Sequence, residues 1–274
     1  GNKMRYEDVA YVHYKNVKIS NVSYQIVYNS VKHCIDNEQR GYICLTDVSN
    51  LMVASKNEQL QAAINSSLLS LADGTPLAWY ARLVGCKEIE RISGASLMKR
   101  LLTDMNDCKH YLLGDTEETI SRVIAEARKL NDKILISGHS PPYKDFDVND
   151  NQQMIEKIRK ADADIIWVCF GGLKQEKWMC QNISRLDKGV MIGVGAAFRF
   201  LVGDISTPPE IVQKMGLQWL FRLAAGFIKN PRVCMKRVKE RQVLTTKMDY
   251  LINLPKEVMM ARKRLKKERA RKMT

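Results

Sequence analysis

The stretch Ala163-Asp164-Ile165-Ile166-Trp167-Val168-Cys169-Phe170 runs into Gly171-Gly172-Leu173-Lys174-Gln175-Glu176-Lys177-Trp178. After a helix comes Val190-Met191-Ile192-Gly193-Val194-Gly195-Ala196-Ala197-Phe198. The apolar runs carry almost no polar alternation, the pattern of strands covered by helices on both faces. They therefore predict a parallel sheet. Each run leads into small residues and then a helix. Glycine lets backbone N–H groups close on a ligand, and the helix start presents positive charge to an anion. Ligands of open α/β sheets bind at this carboxyl edge. A tight strand-to-helix turn with no ligand has the same local sequence, so the turns alone leave both readings open.

Upstream, Tyr42 to Thr46 is a further strand, followed by the oxygen-rich turn Asp47-Val48-Ser49-Asn50 and a helix bearing Leu60, Ala63 and Ile64 on one face. Ser67 to Ala72 then enters Asp73-Gly74-Thr75-Pro76, where Thr75 is expected to cap a helix and Pro76 to take its first position. Asp73 would stand at the carboxyl edge of a strand, although turn chemistry also accounts for it. Lys109 to Gly114 and Lys133 to Ser137 read as strands, Thr116 to Leu130 and Asp150 to Lys160 as helices. Strands and helices thus alternate from about residue 42 to 193 in roughly six βα units, which predicts a three-layer, doubly wound, Rossmann-like α/β fold with a mostly parallel sheet.

The flanks are less regular. Residues 1–16 read as a lead-in, Val17 to Tyr28 as an edge strand or hairpin, and Val27 to Glu38 as a first helix. Beyond Gly203, Thr207 to Glu210 opens a short helix. Gly216 to Leu223 begins another, with Trp219 and Arg222 on one face, the first expected in the core and the second at the surface. Pro255 is expected to break the segment that follows.

Of the net charge of +14, residues 229–274 hold 16 Lys/Arg against four Asp/Glu, a surplus of +12. That leaves +2 for residues 1–228, so two domains are expected: a Rossmann-like body, 1–228, and a basic helical appendage, 229–274. Such a tail suits a solvated helix face, nucleic acid or anionic lipid. Nucleic acid is disfavoured because Tyr250 is the tail's one aromatic for stacking on bases. Seven cysteines without a C-x-x-C pair read as reduced core residues of an intracellular protein. Four scattered histidines give no zinc spacing. No apolar run approaches the ~18 residues of a membrane span, so a soluble or peripheral protein is expected. Gly193-x-Gly195-x-x-Phe198 lacks the third glycine of the dinucleotide fingerprint and no P-loop frame exists, which argues against both cofactor classes.

Taken together, Leu71 to Pro76, Arg91-Ile92-Ser93-Gly94, His139-Ser140-Pro141-Pro142, Gly171 to Trp178, Gly193 to Phe198 and Gly216 to Leu223 resemble the WecG/TagA/CpsF glycosyltransferases, in order, over about residues 20–240. The resemblance implies inverting, metal-independent transfer from a UDP-sugar, of the N-acetylmannosamine or uronic acid type, to a polyprenyl-diphosphate-linked saccharide. It implies no required cofactor, a peripheral position on the cytoplasmic face of the membrane, and an appendage that closes over the site and touches lipid. Asp73 resembles the family's base. Thr46, Gly171, Lys174, Gln175, Glu176, Gly193, Gly195 and Arg199 become candidates for the donor site. Arg222, Arg232 and Arg237 are candidates to neutralise the leaving diphosphate, Arg222 matching best. Two positions depart from the family pattern: Val48, where Asn is common, and Arg199, where Asp is common, which points to an acidic sugar or a phosphate. A non-catalytic nucleotide-sugar or nucleic-acid binder is the alternative, and a homo-oligomer or other protein interface is a further use open to the tail.

Overall fold

The computed structural model describes residues 6–274, apart from the side chains of Glu240 and Arg241. The first five residues of the expected lead-in lie outside it. The chain begins with an antiparallel hairpin, β1 (Tyr11–Tyr14) and β2 (Val17–Ser20). It turns through Lys15 and Asn16, both at positive φ. The hairpin therefore begins inside the expected lead-in, and α1 (Tyr24–Asp36) starts earlier than its apolar pattern indicates, after a Ser23 cap.

There follow β3 (Arg40–Thr46), α2 (Val48–Ser55), α3 (Glu58–Asn65), β4 (Leu69–Ala72), α4 (Thr75–Val84), α5 (Gly94–Asp104), β5 (Lys109–Gly114), α6 (Glu117–Leu130), β6 (Leu135–His139), α7 (Val148–Lys160), β7 (Ile165–Cys169), α8 (Lys174–Asn182) and β8 (Gly189–Gly193). The last part is helical: α9 (Ala197–Leu201), α10 (Glu210–Lys214), α11 (Gln218–Lys229), α12 (Pro231–Arg241) and α13 (Val243–Met273).

Strands β3 to β8 form one sheet in the order β4-β3-β8-β7-β5-β6, every pair parallel. The expected three-layer α/β architecture is what forms. All five residues of β7 and of β8 are buried, as uninterrupted apolar runs require. One face packs against α1, α5, α6 and α9 around Trp167, Leu112 and Phe198. The other packs against the hairpin, α2, α3, α4, α7, α8 and α13 around Tyr42, Met191 and Trp178.

The chain leaves β3 and β7 towards the second face and leaves β8, which lies between them, towards the first. Diverging connections at neighbouring strand ends open a crevice on the carboxyl rim, the usual ligand position in such sheets. At the same rim Gly114 has φ +125°, and a Cβ there would run into the Cys169 carbonyl oxygen. Gly114→Ala is expected to destabilise the protein by about 3 kcal/mol through the strained backbone and the overlap. An unchanged urea midpoint would contradict that packing.

Pro255 does not break α13, which runs unbroken from Val243 to Met273. Proline deprives the Leu251 carbonyl of its helical partner, but Leu251 is exposed, where water can replace the bond. The helix is held by its other side: Tyr250, Glu257 and Ala261 are buried against the body. Among the described residues, no helix is long and apolar enough to cross a membrane.

Candidate active site

Asp73 follows β4 directly, and its backbone N–H donates to the Thr46 carbonyl at the end of β3 (3.0 Å). The turn continues through Gly74 at φ +139°, which is the N-cap of α4. Thr75 is thus not the cap expected of it. It is the first helical residue, and its hydroxyl donates to the Gln213 carbonyl of α10.

Asp73 is half-buried, and its carboxyl is raised to about 7. Burial is the main cause and Asp47 adds to it, while Arg222 and Arg91 oppose it. Near neutral pH this carboxyl exchanges its proton easily, as a general base must. Asp47 caps α2 by accepting from the Asn50 N–H at 2.8 Å.

On the facing side Gln175 and Glu176 are buried in the first turn of α8. The Gln175 side-chain oxygen accepts from the Gly195 N–H (3.1 Å), and its amide nitrogen donates to Glu176 Oε1 (3.3 Å). Gly193 permits this packing, because a Cβ there would lie 2.7 Å from Met179 Cε and 3.1 Å from Gln175 Nε2. Glu176 Oε2 is buried without a hydrogen-bond partner, and burial raises the carboxyl to about 7, with Asp47 again contributing. Arg91 Nη1 is likewise buried and unpartnered, while the other arm of that guanidinium donates to the Gln213 side chain. Unsatisfied buried polar groups are rare in native proteins and concentrate where function needs them. Two of the rim helices, α4 and α8, also start without a side-chain cap, leaving their first N–H groups uncommitted, whereas α2 is capped by Asp47 and α6 by Thr116.

Arg222 arrives from α11, its guanidinium carbon 5.3 Å from the centre of the Phe200 ring on α9, close enough to act on Asp73. The rim thus assembles Asp47, Asp73, Gln175 and Glu176 with Arg91 and Arg222.

A model of the glycosyl transferase WecG/TagA/CpsF family matches residues 12–264. The chain belongs to the WecG/TagA/CpsF glycosyltransferase family. Relatives include an N-acetylglucosaminyldiphosphoundecaprenol N-acetyl-beta-D-mannosaminyltransferase of Bacillus subtilis (strain 168), 28% identical over 194 residues, covering 70% of this chain and 74% of the relative. A protein described in the same words from Bacillus spizizenii (strain W23) is 24% identical over 191 residues, covering 69% and 73%. The chain is a glycosyltransferase, and the non-catalytic alternative falls away.

Most of the WecG/TagA/CpsF strings fall on this crevice, but His139 to Pro142 follows the far edge strand β6, where Ser140 bonds to Glu117 and Asp115, and not every candidate residue faces the crevice. Thr46 is buried and its hydroxyl is shared with Ser70 inside the sheet (3.3 Å), so the side chain facing the cluster at this strand end is Asp47. Gly171 and Gly195, at φ +71° and +58°, have open space where a Cβ would be, consistent with backbone lining the rim. Lys174 turns the other way: its ammonium donates to the Lys144 carbonyl (3.0 Å) and lies 3.9 Å from the Phe146 ring centre. Arg199, the departure from the family pattern, forks onto Asp115 beyond β5 (3.0 and 3.1 Å), away from the Asp73 cluster. A bidentate carboxylate pair uses the donors that an acidic sugar or phosphate would have engaged. Arg232 and Arg237 are exposed on α12, and among the described residues neither bonds to the crevice carboxylates. Trp219 is half-buried rather than core.

Three crevice residues lie outside the sequence-derived set, the first being Asp47, which the sequence marked only as part of an oxygen-rich turn. Arg91 sits in a string that resembles the family, but its type alone did not mark it. Lys247 of α13 is half-buried and within electrostatic reach of Asp47 and Arg222. Its signal was a cation on the helix stripe that buries Tyr250 and Glu257.

Proposed function

We propose that this glycosyltransferase moves a sugar from a UDP-activated donor to a hydroxyl of a saccharide carried on a polyprenyl diphosphate, with inversion and without a metal ion. One observation carries the mechanism: a carboxyl raised to about 7, Asp73, shares its crevice with Arg91 and Arg222. Inversion requires one displacement. The acceptor oxygen bonds to the anomeric carbon as the bond to the phosphate oxygen breaks, Asp73 takes the acceptor proton, and the electron pair leaves on UDP. The two guanidiniums stabilise that charge, and the uncapped N–H groups of α4 and α8 add to it. The activities of the two Bacillus relatives support an N-acetylmannosamine-type sugar and a lipid-diphosphate acceptor.

A peripheral place on the cytoplasmic membrane face belongs to the same reading. It is supported by the basic appendage and by a groove of about 750 Å³ in which Leu83, Leu254, Pro255, Val258 and Met259 lie beside Arg262, Lys263 and Lys266. Apolar floor and cationic edge suit anionic lipid.

The test is to incubate the full chain with a panel of UDP-sugars and a lipid-linked N-acetylglucosamine acceptor, with and without EDTA. Product of inverted configuration in both conditions is expected. Product lost with EDTA and restored by a divalent ion would refute metal independence, and a retained configuration would refute single displacement.

A further inference from the structure

Lys247 lies one helical turn before Tyr250 on α13, where that helix is clamped to the start of α4. The Tyr250 hydroxyl donates to the Pro76 carbonyl (3.0 Å), three residues past Asp73. The Tyr250 carbonyl accepts from the Tyr14 hydroxyl (2.7 Å), and the two rings stack with centres 4.9 Å apart. The clamp fixes the direction of the preceding turn, and Lys247 Nζ comes to 5.9 Å from the centre of the Trp219 ring. Trp219 and Arg222 are three residues apart on α11, so the ammonium and the guanidinium converge over the crevice from two helices.

Burial makes this a costly place for a lone cation. It holds the Lys247 ammonium below its usual range; Asp47 opposes the shift, and Arg222 adds a smaller push in the direction of burial. Among the described residues it is in no ion pair. A half-buried cation with a second, exposed cation beside it favours an anion between the two. A diphosphate is the anion that the proposed reaction brings to this place.

We propose that Lys247 is a further catalytic residue: together with Arg222 its ammonium holds the diphosphate of the nucleotide donor and neutralises it as the glycosidic bond breaks. The inference rests on the donor reading above. Lys247 supplies charge and no proton; the electron pair leaves on the phosphate oxygen, and the acceptor proton goes to Asp73. A point charge on a flexible stem can follow the diphosphate as it departs, which the planar fork of arginine does less readily.

The test uses the full chain with Lys247→Met, which keeps a long stem over Trp219 without the charge, Lys247→Arg, and Lys129→Ala as a remote control on α6. Calorimetry measures UDP, uridine and inorganic diphosphate, and kinetics give kcat and KM. Lys247→Met is expected to weaken UDP about tenfold and leave uridine unchanged. It should lower kcat/KM by about 10²-fold at an unchanged melting temperature. Lys247→Arg should recover most of both, and Lys129→Ala should match the wild type. If the wild type transfers sugar while Lys247→Met keeps its UDP affinity and kcat/KM, or loses UDP and uridine alike, Lys247 has no such role. If the wild type neither binds UDP nor transfers sugar, the donor reading itself has failed. Inorganic diphosphate then decides Lys247 separately, and equal affinity in wild type and Lys247→Met overturns it.

Discussion

Asp73→Asn is expected to lower turnover by about 10²- to 10⁴-fold, the usual contribution of a positioned general base, while UDP still binds. Asparagine keeps the shape of the side chain and cannot take the acceptor proton. The pH dependence is specific. With the carboxyl raised to about 7, the wild type should lose kcat/KM as pH falls through about 7, because protonated Asp73 is no base. The limb should be absent from the residual activity of the variant.

Stability should move the opposite way. A carboxyl whose folded-state pKa lies above its unfolded value binds protons more tightly when folded, so it costs stability as pH rises between the two values. Above about pH 7 the charged form is held in an unfavourable place, and Asp73→Asn should melt higher than the wild type. Turnover retained in the variant, or a lower melting temperature at pH 8, would remove Asp73 from the role of strained base.

What the sequence revealed follows from where each constraint acts. The apolar runs 165–169 and 189–193 were legible because a strand buried on both faces must be apolar at consecutive positions. Gln175 was legible through a dense local string, and its bond to the Gly195 N–H ties together the turns that follow β7 and β8. Lys174 and Arg199 were misplaced because adjacency in sequence is not direction in space. The first turn of α8 sends Gln175 and Glu176 inward and Lys174 towards Lys144, and Arg199 meets Asp115, 84 residues away in the chain. The positive charge of the crevice was the hardest part, since Arg91, Arg222 and Lys247 come from three segments that only tertiary packing joins. Counting cations located the appendage but not the residue in it that turns inward. Pro255 misled for a related reason: local propensity opposes helix there, and burial of Tyr250, Glu257 and Ala261 overrides it.

Arg222→Ala is expected to reduce kcat by about 10²- to 10³-fold, the usual cost of removing one preorganised stabiliser of developing charge. The residue spans the crevice, its guanidinium over Phe200 on one side and its field on Asp73 on the other. Arg222→Lys should recover only part of the loss, because an ammonium lacks the planar fork that fits two phosphate oxygens and lies flat on an aromatic ring. A second readout separates this role from simple loss of packing. Arg222 lowers the Asp73 pKa, so without it the carboxyl should titrate higher and the acid limb of kcat/KM should shift from about 7 to higher pH. Raising the pH would then return part of the activity of Arg222→Ala by ionising the base, but not the part owed to the departing diphosphate. A variant with the wild-type limb and a rate within about twofold of wild type would mean that Arg222 acts on neither Asp73 nor the leaving group, and the source of the crevice's catalytic charge would have to be sought in Arg91 and Lys247.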